Sequence, residues 1–305
     1  MRQTPIGTKR KPKYLFFYVI LSSFILGYLL YKGVTVFSHS LFVSSPDRIN
    51  FVMYGPQTRY YSLDTKTNRH YEISFPPDLK VDVPGGYGQY RVGSLGKLAE
   101  LDGNAHLLEK TFAATTTTFI HYYFFPDSDE VYYGSDIEES AKKPSVLHVL
   151  FWSGNASVLD RLYLSLMLLG KKDTQFNLIS YRKETDNVLG DTVFRNDTFM
   201  KKSIGLLYQA NYREEQASVQ ILYPHEYKTA MRISTLLEGN GIRVSDVSLD
   251  IDRSDTCEVI FSTEVPSQTA RDISSYFTCP LVNGKTDVYD IIFVLGMREK
   301  DWEIE

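Results

Sequence analysis

The stretch from Tyr14 to Tyr31, YLFFYVILSSFILGYLLY, holds eighteen residues and no charged side chain. As a helix it is about 27 Å long at roughly 1.5 Å per residue. Continuing past Lys32 through Gly33 to Phe37 brings it to the roughly 30 Å of a bilayer core. In hydrocarbon every backbone donor and acceptor must be satisfied within the segment, so a run like this spans as a helix. The competing readings are a buried helix of a soluble domain and a cleaved signal peptide. A signal peptide has a shorter apolar region that ends in an A-x-A-like site. Here the run leads into Lys32-Gly33-Val34-Thr35-Val36-Phe37-Ser38, which has no such site. Residues 14–37 are therefore expected to stay in place as a single membrane anchor.

The flanks give an orientation. Arg2, Lys9, Arg10, Lys11 and Lys13 precede the run, and no acidic residue occurs before Asp47. Lys and Arg accumulate on cytoplasmic flanks, so residues 1–13 are expected inside as a basic tail, with everything after the anchor outside the cytoplasm. The whole chain of 305 residues has a formal charge of −4, and removing those five cations leaves −9 for the rest. A nucleic-acid binder needs a basic face, and this acidic outer region speaks against one and against a regulator of transcription.

The remaining length accommodates about two domains. Arg48–Gly55 reads as a strand. Arg59–Leu63 and Arg69–Phe75 read as a hairpin-like pair around Asp64–Asn68, whose side chains can bond their own backbone. The glycines of Pro84-Gly85-Gly86-Tyr87-Gly88 match no Walker loop or dinucleotide fingerprint and read as a hairpin turn. Ser94–Phe112 is expected to be helical, Thr115–Phe125 a strand and Ser145–Trp152 a buried strand. Ser157–Leu169 opens like a capping box and reads as a helix, and Gln175–Tyr181 as another strand. A layered α/β domain over residues 47–208 follows from this order. After a polar connection at 184–196, Asp197–Tyr208 reads as a helix, and the charged stretch Gln209–Ala217 as a boundary.

The last ninety residues carry the clearest pattern. Strands are expected at Ser218–Tyr223, Ile242–Leu249, Thr256–Ser262 and Asp290–Gly296. Helices are expected over Glu226–Glu238 and from Pro266, the second with Ala270, Ile273 and Phe277 inward. This β-α-β-β-α-β order closes as a small domain over residues 217–298. Cys257 and Cys279 both fall in it, and in an extracytoplasmic setting they form either a disulfide or two buried thiols. No cluster has zinc-ligand spacing. Asp250–Asp255 lacks the glycine and closing glutamate of a calcium loop and reads as a solvated turn, so no metal site is expected.

Ala217-Ser218-Val219-Gln220-Ile221-Leu222, the run Leu237-Glu238-Gly239-Asn240-Gly241-Ile242-Arg243-Val244 and the ending Tyr289-Asp290-Ile291-Ile292-Phe293-Val294-Leu295-Gly296 resemble the LytR C-terminal domain of bacterial envelope proteins. The region before it resembles a degenerate LytR-CpsA-Psr domain. That family transfers glycopolymers from a polyprenyl-pyrophosphate carrier to peptidoglycan, with arginines and aspartates that hold the pyrophosphate and a magnesium ion. Ser74-Phe75-Pro76-Pro77-Asp78 and Arg91-Val92-Gly93 fall on two of its motifs, and Arg59 and Arg161 on its arginine positions. The resemblance thus implies Arg59, Asp78, Arg91 and Arg161 as candidate ligand-binding residues. Pro56 and Pro77 stand where that family has an aspartate and an arginine. A proline supplies neither a guanidinium fork for pyrophosphate nor a ligand for a hard cation.

The expectation is therefore a membrane-anchored cell-envelope protein without catalysis and without a cofactor. It would bind peptidoglycan, another wall material, a polyprenyl-linked glycopolymer or an envelope protein. The alternative is a divergent magnesium-dependent phosphotransferase.

Overall fold

A computed structural model describes residues 15–38, 40–44, 46–128, 130–136, 140–181, 185–188 and 191–304. The basic tail and its five cations lie outside the described residues. Helix α1 (Leu15–Ser38) is long and apolar enough to cross a membrane, and its described side chains are exposed along its length. A short helix, α2 (Leu41–Ser44), follows it directly.

The first sheet is built around three antiparallel strands, β1 (Arg48–Met53), β2 (Thr58–Asp64) and β3 (His70–Phe75). The turn joining β2 to β3 behaves as its composition predicts. Asp64 Oδ1 accepts from Lys66 N at 2.8 Å, and Asn68 takes a positive φ of 60°.

The glycine-rich turn expected next joins β4 (Lys80–Val83) to β5 (Gly88–Arg91), which pair antiparallel. The amides of Gly85 and Gly86 both donate to the Glu303 carbonyl, at 2.7 and 3.0 Å. These donors serve the end of the chain rather than a phosphate.

The helical segment expected over Ser94–Phe112 is two helices, α3 (Leu95–Leu101) and α4 (His106–Thr116), separated at Gly103 with φ 64°. The threonine-rich segment departs from the expected strand. Thr115 and Thr116 return their hydroxyls to the carbonyls of Thr111 and Phe112, both at 2.7 Å, and continue α4. Only β6 (Tyr122–Phe125) is a strand there, parallel to β1.

Ser145–Trp152 is likewise not a buried strand. Ser145 caps α5 (Val146–Phe151), whose Leu147 and Phe151 are exposed. Its apolar run has the spacing of a helix with one buried stripe at Val149, a pattern that hydrophobicity alone does not separate from a strand.

After the two-residue β7 (Ser153–Gly154), Ser157 Oγ accepts from Asp160 N at 3.2 Å and starts α6 (Val158–Leu169). Strand β8 (Phe176–Leu178) pairs parallel with β3 and completes the order β7-β6-β1-β2-β3-β8. The stretch read as a polar connection instead holds a hairpin, β9 (Thr185–Val188) and β10 (Asp191–Phe194), which joins β4 and β5 in a second sheet.

Period-two alternation sorts the first sheet's side chains onto two covered faces. Tyr60, Ile73 and Phe75 meet Phe112 of α4 on one side. Phe51, Tyr61 and Leu63 meet Leu164 and Leu168 of α6 on the other.

Helices α7 (Asn196–Ser203) and α8 (Ala210–Glu215) lead into the last sheet, and the buried Tyr212 lies in the stretch read as a charged boundary. That sheet has the order β12-β11-β15-β13-β14. It comprises β11 (Ser218–Tyr223), β12 (Arg243–Leu249), β13 (Glu258–Phe261), β14 (Leu281–Asn283) and β15 (Ile291–Val294), with helices α9 (Tyr227–Gly239) and α10 (Gln268–Phe277). The central β15 is fully buried. The β-α-β-β-α-β expectation lacked β14, a three-residue edge strand too short to show a pattern. Cys257 and Cys279 form a disulfide with Cα atoms 5.3 Å apart. The Asp250–Asp255 turn is exposed, and Arg253 there lies 3.6 Å from both Asp250 and Glu258.

One hydrophobic cluster runs from Val52 to Trp302 and so joins the first sheet to the last. Close backbone approach makes the junction. Gly239 lies against the Thr117 carbonyl, and Asn240 Oδ1 accepts from Phe119 N at 3.0 Å.

Candidate functional site

The four candidate ligand-binding residues fall into three local settings. Arg59 leaves β2 on the side that faces α6, and its guanidinium pairs with Glu72 on the neighbouring β3 and with Gln57 Oε1 at 3.1 Å. Glu72 is fully buried, and its second oxygen accepts from Lys142 N at 2.6 Å. Burial pushes the Glu72 carboxyl up, and the hydrogen bond from Lys142 N and the Arg59 charge oppose that shift.

Arg161 sits in the first turn of α6 and donates to backbone carbonyls on three sides. Its Nη1 reaches Val149 O at 2.8 Å and Trp152 O at 2.6 Å, and its Nε reaches Ala156 O at 3.1 Å. The guanidinium also lies over the Phe124 ring, 5.1 Å from its centroid. These carbonyls lie at and beyond the end of α5 and have no continuing helix to satisfy them, so Arg161 acts as that helix's C-terminal cap.

Asp78 and Arg91 are brought together. Arg91 Nη1 lies 3.9 Å from Asp78 Oδ1, and both side chains are partly exposed. Asp78 Oδ2 accepts from Gly134 N at 3.1 Å, and Asp78 N donates to Gly134 O at 3.1 Å, which fastens the incoming loop. Pro77 is buried, and its carbonyl accepts from Gly93 N at 2.8 Å. Pro56 lies exposed in the turn between β1 and β2.

A second concave site lies where the two halves meet. A cavity of about 790 Å³ opens between the segment after α2, the start of α4, β6 and helix α10. Its titratable lining includes His106, Glu109, His121 and Asp272. His106 Nδ1 and Glu109 Oε2 lie 3.1 Å apart, and the Tyr212 hydroxyl donates to Asp272 Oδ2 at 2.8 Å. Burial raises the Glu109 and Asp272 carboxyls and lowers His121 to about 4. His121 Nδ1 accepts from Asn50 N at 3.0 Å, which fixes it as a neutral acceptor. Phe119 and Tyr276, with ring centroids 4.3 Å apart, form an aromatic wall. Among the described residues no group of three His, Cys, Asp or Glu side chains converges on a metal-binding point.

Sequence reasoning missed Glu72, whose role shows only through its cross-strand position two residues from the partner of Arg59. It also missed the cleft, whose walls come from segments as distant in the chain as Leu41 and Trp302.

No family model and no curated protein matches the chain. Among solved structures, Bacillus subtilis TagV aligns at 12% identity and TM-score 0.36, over 65% of this chain and 98% of that one. Bacillus subtilis TagU aligns at 15% identity and TM-score 0.23, over 26% of this chain and 35% of that one. The chain thus spans about a third of the TagU structure. A structure from Enterococcus faecalis described as a transcriptional regulator aligns at 10% identity and TM-score 0.35, over 66% of this chain and 89% of that one. At these TM-scores the likenesses carry no argument about the function of this chain.

Proposed function

We propose that the chain is a single-pass protein of the bacterial cytoplasmic membrane, with its N-terminus inside and its α/β region outside. In this reading the outer region binds cell-wall material or an envelope partner and carries out no transfer chemistry. The supporting observation is the fate of two arginines. A pyrophosphate is held by guanidinium forks that face the ligand. Arg59 is instead matched by the fully buried Glu72, and Arg161 spends its donors on the carbonyls of Val149, Trp152 and Ala156.

The partly exposed Asp78–Arg91 pair favours the second reading, a divergent magnesium-dependent phosphotransferase acting on a polyprenyl-pyrophosphate glycopolymer carrier. The two readings separate in one assay. Protein in detergent is incubated with such a carrier, peptidoglycan and magnesium, and release of polyprenyl phosphate is measured. No release above the protein-free control is expected. Release that is lost in Asp78→Ala overturns the binding reading. A pull-down on purified peptidoglycan, with and without its attached glycopolymer, then distinguishes wall material from an envelope protein.

A further inference from the structure

We infer that the α5–α6 hairpin is a membrane-docking face that lies in the headgroup region of the outer leaflet beside the anchor. This inference rests on the anchored reading above and adds a second, peripheral contact with the same bilayer.

The observation is a stripe of large apolar side chains that the fold leaves uncovered. On α6, Val158, Leu162, Leu166 and Leu169 repeat at spacings of four, four and three and are 82, 45, 55 and 65% exposed. Leu147 and Phe151 of the neighbouring α5 add 64 and 79%. Single exposed apolar residues are ordinary, but six of them on two helices that pack together mark an interaction surface. The inward side of α6 is already filled by Leu164 and Leu168 against the first sheet, so the stripe is surplus to the core.

The outward face of α6 also carries no available charge. The only charged residues of that helix are Asp160 and Arg161. Asp160 accepts from Leu41 N at 2.8 Å and from Ser157 Oγ at 2.7 Å, and Arg161 is held by backbone carbonyls.

Continuity with the anchor identifies the occupant. The contact Leu41 N to Asp160 ties the residues just after α1 to the first turn of α6. Aromatic rings bridge the same step. Phe37 at the end of α1 stacks with Phe42 at 6.2 Å between centroids, and Phe42 meets Tyr163 of α6 edge-on at 5.1 Å. Aromatic side chains of this kind favour the level of the headgroups. The apolar stripe therefore begins where the span leaves the hydrocarbon. A helix of twelve residues carries it about 18 Å further at 1.5 Å per residue.

Charge complements this placement at the far end. Lys142 and Lys143 precede α5, and Lys171 and Lys172 follow α6. Lys143 Nζ donates to Lys171 O at 3.3 Å and Lys143 N to Asp173 Oδ1 at 2.8 Å, which gathers the four lysines with one carboxylate at one rim. An apolar stripe with a lysine rim is the composition of helices that lie in the plane of an anionic interface.

The test uses the full chain in vesicles of phosphatidylethanolamine and phosphatidylglycerol. Because the two native cysteines are bonded to each other, a single added cysteine can carry an environment-sensitive fluorophore. Labels are placed in separate variants at Leu166→Cys, Phe151→Cys, Val288→Cys and Phe24→Cys. Val288 is a highly exposed position after β14, and Phe24 lies within the span.

The expected result is blue-shifted emission at 151 and 166, quenching by lipid carrying a shallow nitroxide, and a several-fold loss of quenching by aqueous iodide relative to 288. In the background Leu162→Glu with Leu166→Glu, the label at 151 is expected to become as accessible to iodide as that at 288. Iodide access at 151 and 166 equal to that at 288 overturns the inference. So does protection that grows with protein density without lipid quenching, which would mean that a second copy covers the face. Unchanged protection at 151 in the double variant overturns it as well. The label at Phe24 separates the two claims. Lipid quenching there alone leaves the anchor standing and the docking face refuted, and its absence refutes the anchor itself.

Discussion

Replacing Glu72 by alanine removes the carboxylate that neutralises Arg59 in the first sheet. Glu72 is fully buried and the Arg59 side chain is 8% exposed, so solvent cannot take over the counter-charge. The substitution also deprives Lys142 N of its acceptor. Breaking a buried pair from one side strands a charge and costs about 3–5 kcal/mol. With a urea m-value near 3 kcal/mol per molar, the unfolding midpoint is expected to fall by about 1–1.7 M. The assay is urea unfolding of the detergent-solubilised chain followed by near-ultraviolet circular dichroism. The counterpart is the double variant Arg59→Met with Glu72→Leu, which removes both charges while it keeps the volume filled. Replacing a whole buried pair by apolar groups is often neutral or stabilising by about 1–4 kcal/mol, so this variant should recover most of the loss. A single variant with an unchanged midpoint would show that Glu72 is not what holds Arg59 within the fold, and the argument from Arg59 against transfer chemistry would lose its support.

Other consequences concern the rest of the fold. The Cys257–Cys279 bond closes a separation of 22 residues, and chain entropy assigns such a loop about 3 kcal/mol. Cys257→Ala with Cys279→Ala should lower the urea midpoint accordingly, and an unchanged midpoint refutes that contribution. Gly239→Ala would drive a methyl group into the Thr117 carbonyl, backbone that cannot step aside. A loss of about 1–3 kcal/mol is expected, with increased hydrogen exchange at Phe119 and Asn240, and wild-type exchange there argues against a tight junction. Acidification should act on stability in two opposing ways, with the buried histidines destabilising the fold and the raised Glu72, Glu109 and Asp272 carboxyls working against them. His121 has a folded pKa of about 4 against 6.5 for an unperturbed histidine, so between those values the unfolded chain binds the proton and the native chain does not. Stability on that account is complete above about pH 6.5 and falls as pH drops toward 4. His70, also lowered to about 4 by burial, acts in the same direction. The variants His121→Gln and His70→Gln should each flatten the fall in urea midpoint between pH 6.5 and 4, and a pH profile unchanged in both would contradict both assignments.

Several elements could be read from the chain because their determinants are local. The long apolar helix α1 follows from a charge-free run and its length. The hairpin β2–β3 follows from alternation around an Asp- and Asn-containing turn. Helices α9 and α10 follow from apolar positions at helical spacing, the first ended by glycine and the second opened at Pro266, where Ser267 is the N-cap in the structure. The errors fell where two structures share one local pattern. Val146–Phe151 satisfies a strand and a helix equally by hydrophobicity, and the capping hydroxyl of Ser145 together with packing against α6 decided for the helix. Thr115 and Thr116 favour strands intrinsically, but their hydroxyls found helix carbonyls within one turn.

For the candidate site the division follows sequence distance. Sequence determined the chemical inventory: a long apolar run, an acidic remainder and four charged candidate residues. Tertiary structure alone decided the partners of those charges. Strand register set Glu72 beside Arg59, and the loop after α5 turned its carbonyls toward Arg161. Closure of the last sheet against the first placed His121 and Asp272 around one cavity. It also decided which apolar residues stay outside. Leu164 and Leu166 are the same residue type two positions apart on α6, one buried against the first sheet and the other facing away from the protein. Burial depends on what packs against a helix from distant parts of the chain, and no local pattern contains that.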